Sequence, residues 1–185
     1  MSLARIAAIA LSLIVATPVW SAEVVRPEDV GEPVVWGSAS KVTRVGRLWL
    51  ADQPDEVGLQ QAREHDVSVV INLREPGELS WDERTAVESL GMTYYNVPIA
   101  KEGPLSSAPM LEIEKIVQRS GSQQVLIHCA TANRAAAWLV THLTRENGMS
   151  TDDALLVARR AGLTKAESEA KVRAFLRSTA GATVP

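Results

Sequence analysis

From Gly46 onward, short apolar runs alternate with longer segments that are apolar on one side only. Leu48 to Ala51 reads as a strand and runs into the turn-like Asp52-Gln53-Pro54-Asp55. Glu56 to Glu64, with Val57, Leu59 and Ala62, predicts a short helix. Ser68 to Leu73 (SVVINL) is a continuous run rich in β-branched residues, the pattern of a strand buried on both faces. After the Pro76-Gly77 break, a helix is expected from about Ser80, which can cap it, to Leu90, with Gly91 as its terminator. Thr93 to Val97 predicts a strand and PIAKEGP a loop. Met110 to Arg119 is amphipathic, and Gln124 to His128 is a short buried strand. Three helices close the pattern, at Arg134 to Glu146, Thr151 to Ala161 and Lys165 to Arg177, punctuated by Gly148 and Gly162. Strands alternating with helices give an α/β fold: a central, largely parallel sheet of four to five strands flanked by helices.

The 185 residues are 46% hydrophobic and 22% charged, which suits one globular domain with a sizeable core. With a formal net charge of -3 and no Lys/Arg block, nucleic acid is not an expected partner. Residues 22–45 are rich in Pro, Val and charge and read as an irregular N-terminal arm; residues 46–178 form the domain and 179–185 a tail. Ahead of them, Arg5, the apolar run Ile6 to Val15, Pro18 and the small-residue site at Ser21-Ala22 have the order of a secretory leader, residues 1–21. The run is shorter than the roughly 18–20 residues of a membrane span, so no stable anchor is expected after cleavage. The mature chain is expected in the periplasm or secreted.

The single cysteine, Cys129, cannot form an intramolecular disulfide. It is either a small buried hydrophobe or a reactive thiol. It stands where a strand passes through the tight ATAN link into a helix, with four residues between it and Arg134. In α/β sheets ligands bind beyond the carboxyl ends of strands, where helix N-termini converge. Backbone N–H groups of Ala130, Thr131, Ala132 and Asn133 would cradle an oxyanion there, and the helix end would favour a thiolate at Cys129. Arg134 can fork two donors onto the same anion, which a lysine cannot. The three histidines, His65, His128 and His142, are isolated from one another, so no metal site is expected.

Together, ADQPDEVGLQQAREHDVSVVINLREPGE, LGMTYYNVPI and HCATANR resemble, in order, three motifs of the cysteine-dependent protein tyrosine/dual-specificity phosphatases, in particular small bacterial phosphatase-like domains found with β-lactamase-like hydrolases or beside NAD kinases. The resemblance runs from about Gly46 to Leu176. It implies a dual-specificity-phosphatase-like fold, a phosphorylated protein or small phosphoester as substrate, and no cofactor. By this resemblance Cys129 is the nucleophile that forms a phosphocysteine, and Arg134 with the backbone of Ala130 to Asn133 binds phosphate. His128 tunes the thiol and packs beneath the loop, and Arg74 and Glu78 stand at the pocket mouth.

The chain departs from the family in several places. Its loop has four residues between Cys and Arg where five are commonest, a short form that the bacterial group also shows. Ala132 stands where a glycine is usual, and Ala135 replaces the hydroxyl residue after the arginine, leaving Thr131 as the nearby hydroxyl. No Asp lies in PIAKEGP, so Glu102 is the candidate general acid and Asp82 the runner-up. Two other readings stay open. A phosphate- or phosphoprotein-binding module without turnover is favoured by Ala132, Ala135 and the missing Asp. A rhodanese-like sulfurtransferase shares a short Cys-initiated loop, but the Asn-Leu-Arg strand and the terminal Arg134 speak against it.

Overall fold

The computed structural model describes residues 25–179 of the chain, so the expected leader at 1–21 and most of the tail at 179–185 lie outside the described residues. Its strands are β1 (Val34–Trp36), β2 (Ala39–Val45), β3 (Leu48–Ala51), β4 (Val67–Asn72), β5 (Thr93–Asn96) and β6 (Gln124–His128). The helices are α1 (Glu56–Glu64), α2 (Glu83–Ser89), α3 (Ser107–Arg119), α4 (Asn133–Arg145), α5 (Thr151–Arg160) and α6 (Ala166–Thr179). The strands form one six-stranded sheet in the order β1-β2-β3-β6-β4-β5. The four strands β3, β6, β4 and β5 are parallel, and β1 and β2 extend the sheet antiparallel. Among the described residues no helix is long and apolar enough to cross a membrane.

The expected α/β architecture is present, with more strands than the four to five anticipated. The correction lies in the segment read as an irregular arm, because residues 34–45 supply β1 and β2. In Ala39–Val45 the apolar positions Ala39, Val42 and Val45 are spaced by three, and polar Thr43 is buried. The alternation that marks a half-buried strand is therefore absent from the sequence. A two-residue turn at Gly46-Arg47 joins β2 to β3, with Gly46 at φ 58°. Trp36 of β1 stacks on His65 at the end of α1 (ring centroids 5.0 Å apart) and meets Trp49 of β3 at 4.7 Å, which fastens the added edge to the helical layer. The other shift is at α2, which starts at Glu83 with Asp82 as its N-cap rather than at Ser80.

Two apolar layers cover the sheet. On one face Leu50, Ile71, Val125 and Ile127 pack against α3 to α6, chiefly Trp138, Leu139, Leu143, Leu155 and Phe175. On the other, Val42, Trp49, Val70 and Leu126 pack against Leu59, Ala62 and Val87 of α1 and α2. Side chains alternate along β6, so His128 and its neighbour Cys129 turn to opposite layers. All four parallel strands end on the same side of the molecule, and the β6–α4 link is at the centre of that edge.

Candidate active site

Cys129 follows β6 directly, and its N–H donates to Ala51 O at 3.3 Å. The backbone then passes Ala130 and Thr131, which pairs as an isolated bridge with Asp52, and turns into α4 through Ala132 at φ 62° and ψ -18°. This is the left-handed conformation that makes glycine usual here, and in an alanine it costs roughly 1 kcal/mol. Space for the methyl group comes from Gly162: a Cβ there would stand 2.7 Å from the Ala132 Cβ. Asn133 locks the loop from the other side. Its Oδ1 accepts from Thr164 N and Lys165 N, both at 2.9 Å, and its Nδ2 donates to Thr131 O at 3.0 Å and Thr164 Oγ1 at 3.2 Å. The loop is thus held through Asp52 and through the α5–α6 turn.

Arg134, in the first turn of α4, is fixed by three segments. Nη1 donates to Glu78 Oε1 (2.7 Å), Ile99 O (3.0 Å) and Leu73 O (3.2 Å), and Nη2 donates to Glu78 Oε2 (2.8 Å). These bonds use the Nη1/Nη2 edge of the guanidinium and leave the Nε–H and the second Nη2–H for an anion. Burial opposes the charge of Arg134, but Glu78 and the nearby Cys129 more than offset it and hold its pKa above the ordinary arginine value. Glu78 answers in kind: the hydrogen bond from Arg134 brings its pKa down to about 2 against the opposing effect of burial. Arg74 completes the set, with Nη1 donating to Gln53 Oε1 at 2.7 Å, Nη2 donating to Glu78 O, and Nε 3.6 Å from Glu78 Oε2.

Under this site is a carboxylate that no motif or spacing singles out. Glu83, 1% exposed, accepts from Gln53 Nε2 (2.6 Å), Asn72 Nδ2 (2.6 Å) and Tyr94 OH (3.1 Å). His128 Nε2 is 3.3 Å from Glu83 Oε1 without hydrogen-bond alignment, and neither ring nitrogen of His128 has a hydrogen-bond partner. Burial pushes the Glu83 carboxyl up, and the charge of His128 with the hydrogen bonds reverses this to a net lowering. Gln53, expected as a turn residue only, bridges Glu83 to Arg74. The signal that existed was the acidic first turn of α2, which reads equally as a solvated helix start.

A cavity of about 480 Å³ opens over the loop, lined by Ala130, Thr131, Asn133, Arg134, Arg74, Glu78, Lys101, Glu102, Lys165 of the α5–α6 turn and three residues at the start of α6. Cys129 is 1% exposed and is not itself among the lining residues. Of the residues named from sequence, Arg74, Glu78, Glu102, Ala130, Thr131, Asn133 and Arg134 line this cavity, Ala132 and Cys129 are buried behind it, and His128 is in the opposite layer. Glu102 is exposed on the loop after β5 and faces this cavity. Asp82 does not. It caps α2, accepting from Thr85 N at 3.1 Å and Thr85 Oγ1 at 2.7 Å, and it lines a different cavity with Trp81 and Glu56. Among the described residues no group of three or more His, Cys, Asp or Glu side chains is arranged to hold a metal ion.

No protein-family model matches the chain, and neither does any curated protein. Solved structures do. Tk-PTP in its active form is 26% identical, with 72% of this chain and 92% of that chain covered and a TM-score of 0.63. TpbA of P. aeruginosa in complex with pTyr is 16% identical, with coverage of 77% and 88% and a TM-score of 0.62. Kinase associated phosphatase is 14% identical, with coverage of 82% and 98% and a TM-score of 0.65. These are cysteine-dependent tyrosine/dual-specificity phosphatases, and the chain described here has their fold. The similarity to these structures supports a phosphatase enzyme, and the chain places a cysteine directly after β6, a tight strand-to-helix loop and a clamped arginine together.

Proposed function

We propose that the protein hydrolyses phosphomonoesters through a phosphocysteine. The observation that carries this reading is the Arg134 guanidinium, fixed by Glu78 beside Cys129 with one donor edge left for an anion. Phosphate oxygens would be held by that edge and by N–H groups of the 130–133 loop at the start of α4. The Cys129 thiolate attacks phosphorus, the P–O bond to the leaving group breaks, and the leaving oxygen takes a proton from Glu102. Water then attacks the phosphocysteine, returns a proton to Glu102 and releases phosphate and the thiolate. The TpbA–pTyr complex supports a phosphotyrosine-type substrate here. Cys129→Ser is expected to abolish p-nitrophenyl phosphate turnover while leaving phosphate and vanadate bound. Glu102→Gln is expected to slow alkyl phosphates by about 10²–10⁴ and p-nitrophenyl phosphate little, because nitrophenolate leaves without a proton. Full activity in Cys129→Ser contradicts the nucleophile, and equal effects of Glu102→Gln on both substrates contradict the acid.

A second reading is favoured by the burial of Cys129 and by the strained Ala132. In it the site binds phosphorylated groups without turning them over. Its mark is tight phosphate or phosphopeptide binding by the wild-type protein with no hydrolysis of p-nitrophenyl phosphate. The leader pattern at residues 1–21 further supports export, and we propose that the mature protein acts outside the cytoplasm. Recovery of a soluble chain beginning near Ala22 from the extracytoplasmic fraction is the expected result. A full-length chain released only by detergent contradicts it.

A further inference from the structure

We propose that Lys101 and Lys165 form a second anion subsite beside the phosphate loop, so that favoured substrates carry a second anionic group close to the scissile phosphate. This rests on the phosphate-binding role proposed for the loop. The cavity is locally cationic in a chain of net charge -3: five basic side chains (Arg74, Lys101, Arg134, Lys165, Lys171) face three carboxylates (Glu78, Glu102, Glu167). Most of these charges are already committed. Glu78 holds Arg134 and Arg74, and Lys171 is 2.7 Å from Glu167 and donates to Lys101 O at 3.1 Å. Lys101 and Lys165 have no carboxylate within ion-pair distance among the described residues, although Lys171, helped by the charge of Lys165, holds the Glu167 carboxyl below the usual range. Neither ammonium group is held in an ion pair, so both can turn to a ligand, Lys165 against the competing pull of Glu167.

Both lysines are tethered to the phosphate site through their backbone. The Lys165 N–H donates at 2.9 Å to Asn133 Oδ1, one residue before Arg134. Lys101 is two residues beyond Ile99, whose carbonyl accepts from Arg134 Nη1 at 3.0 Å, and its own N–H donates to Glu75 Oε2 at 3.2 Å. One lysine therefore approaches from the α5–α6 turn and the other from the loop after β5, on flexible stems lining the same cavity. A lysine is a point charge without the planar fork of arginine, so the pair selects for charge rather than for a particular anion shape. The second group can be a carboxylate or another phosphate. Glu102 and Glu167, in the same cavity, restrain the effect but do not cancel it.

The test uses the Cys129→Ser protein, so that binding is read independently of turnover. Its affinity is compared for a phosphotyrosine peptide flanked by glutamines, the same peptide flanked by glutamates, a doubly phosphorylated version, and a small sugar bisphosphate beside its monophosphate. The inference expects the second anion to tighten binding by about five- to tenfold at low salt. Lys101→Gln/Lys165→Gln should remove that preference, and so should high salt. Preference for both glutamate and phosphate fits a general anion subsite. Preference for the second phosphate alone narrows the class to bisphosphorylated substrates and still supports it. Equal affinity for all partners, or a preference untouched by the double variant, overturns it. A wild-type protein that binds in this pattern yet hydrolyses no p-nitrophenyl phosphate would instead contradict the phosphatase reading and leave the subsite standing.

Discussion

Glu78 and Glu83, five residues apart, occupy two sides of the same strand edge and behave in opposite ways. Glu78 is at the cavity mouth, 19% exposed, in a two-point ion pair with Arg134. Glu83 is closed off beneath it, satisfied by neutral donors from Gln53, Asn72 and Tyr94 and faced by His128. The first carboxylate fixes the guanidinium proposed to meet the ligand, and the second ties α2 to β4, β5 and β6. Gln53 and Arg74 connect them. Placing one carboxylate in a closed hydrogen-bonded cluster and the other against the guanidinium at the cavity mouth lets a single polar edge serve both stability and the anion binding proposed for the loop.

The largest effect is expected at the buried carboxylate. Glu83→Ala removes the shared acceptor of three hydrogen bonds and the carboxylate facing His128; Gln53 keeps Pro54 O and Asn72 keeps Tyr94 OH, but the Tyr94 hydroxyl loses its acceptor in a closed site. A loss of about 3–5 kcal/mol is expected in urea unfolding, more than for any substitution at the mouth. A loss below about 1 kcal/mol would show that the cluster is not a structural hub.

Glu78→Gln sharpens the contrast at the open end. It keeps the shape but removes the charge that clamps Arg134, and kcat/KM should fall by about tenfold or more with a smaller stability loss. The pH dependence has a defined sign. Because the folded pKa of Glu78 is depressed to about 2, its stabilising contribution is complete above the ordinary glutamate range and is lost as pH falls towards 2. The stability gap between wild type and Glu78→Gln should therefore narrow between about pH 4.3 and pH 2 in acid titrations of unfolding. A gap constant across that window would remove the ion pair as its cause.

How much of this was legible in the sequence differs between the same regions. The parallel strands β4 and β6 were plain because continuous apolar runs such as Val69-Val70-Ile71 have few other uses. Cys129, Arg134 and the loop between them were legible because a strand–loop–helix junction brings them together whatever the rest of the fold does. Glu83, Gln53 and Asn72 were not, since their roles depend on the packing of α2 over the sheet, and no spacing encodes that contact. The antiparallel edge was missed because three-residue spacing in Ala39–Val45 hides a strand with a buried threonine. Lys101 and Lys165 are 64 positions apart and meet only through the cavity.

The smallest expected effect concerns the loop backbone. Ala132→Gly relieves the left-handed strain at φ 62°, and it should raise stability by no more than about 1 kcal/mol, part of which the added freedom of the unfolded chain takes back. Gly162→Ala should do the reverse, because its methyl would meet that of Ala132 at 2.7 Å, well inside contact distance. Thermal unfolding of the two variants against wild type checks both signs. If Gly162→Ala is neutral, the two residues are not packed as described.

In the proposed reaction Cys129 carries the phosphoryl group during turnover. Rapid acid quenching of wild-type protein mixed with p-nitrophenyl phosphate, followed by mass analysis of its peptides, tests it most directly. One added phosphoryl group on the peptide containing Cys129, absent in Cys129→Ser, is the predicted result. Turnover with no phosphoryl adduct there, or with the adduct on another residue, would contradict it.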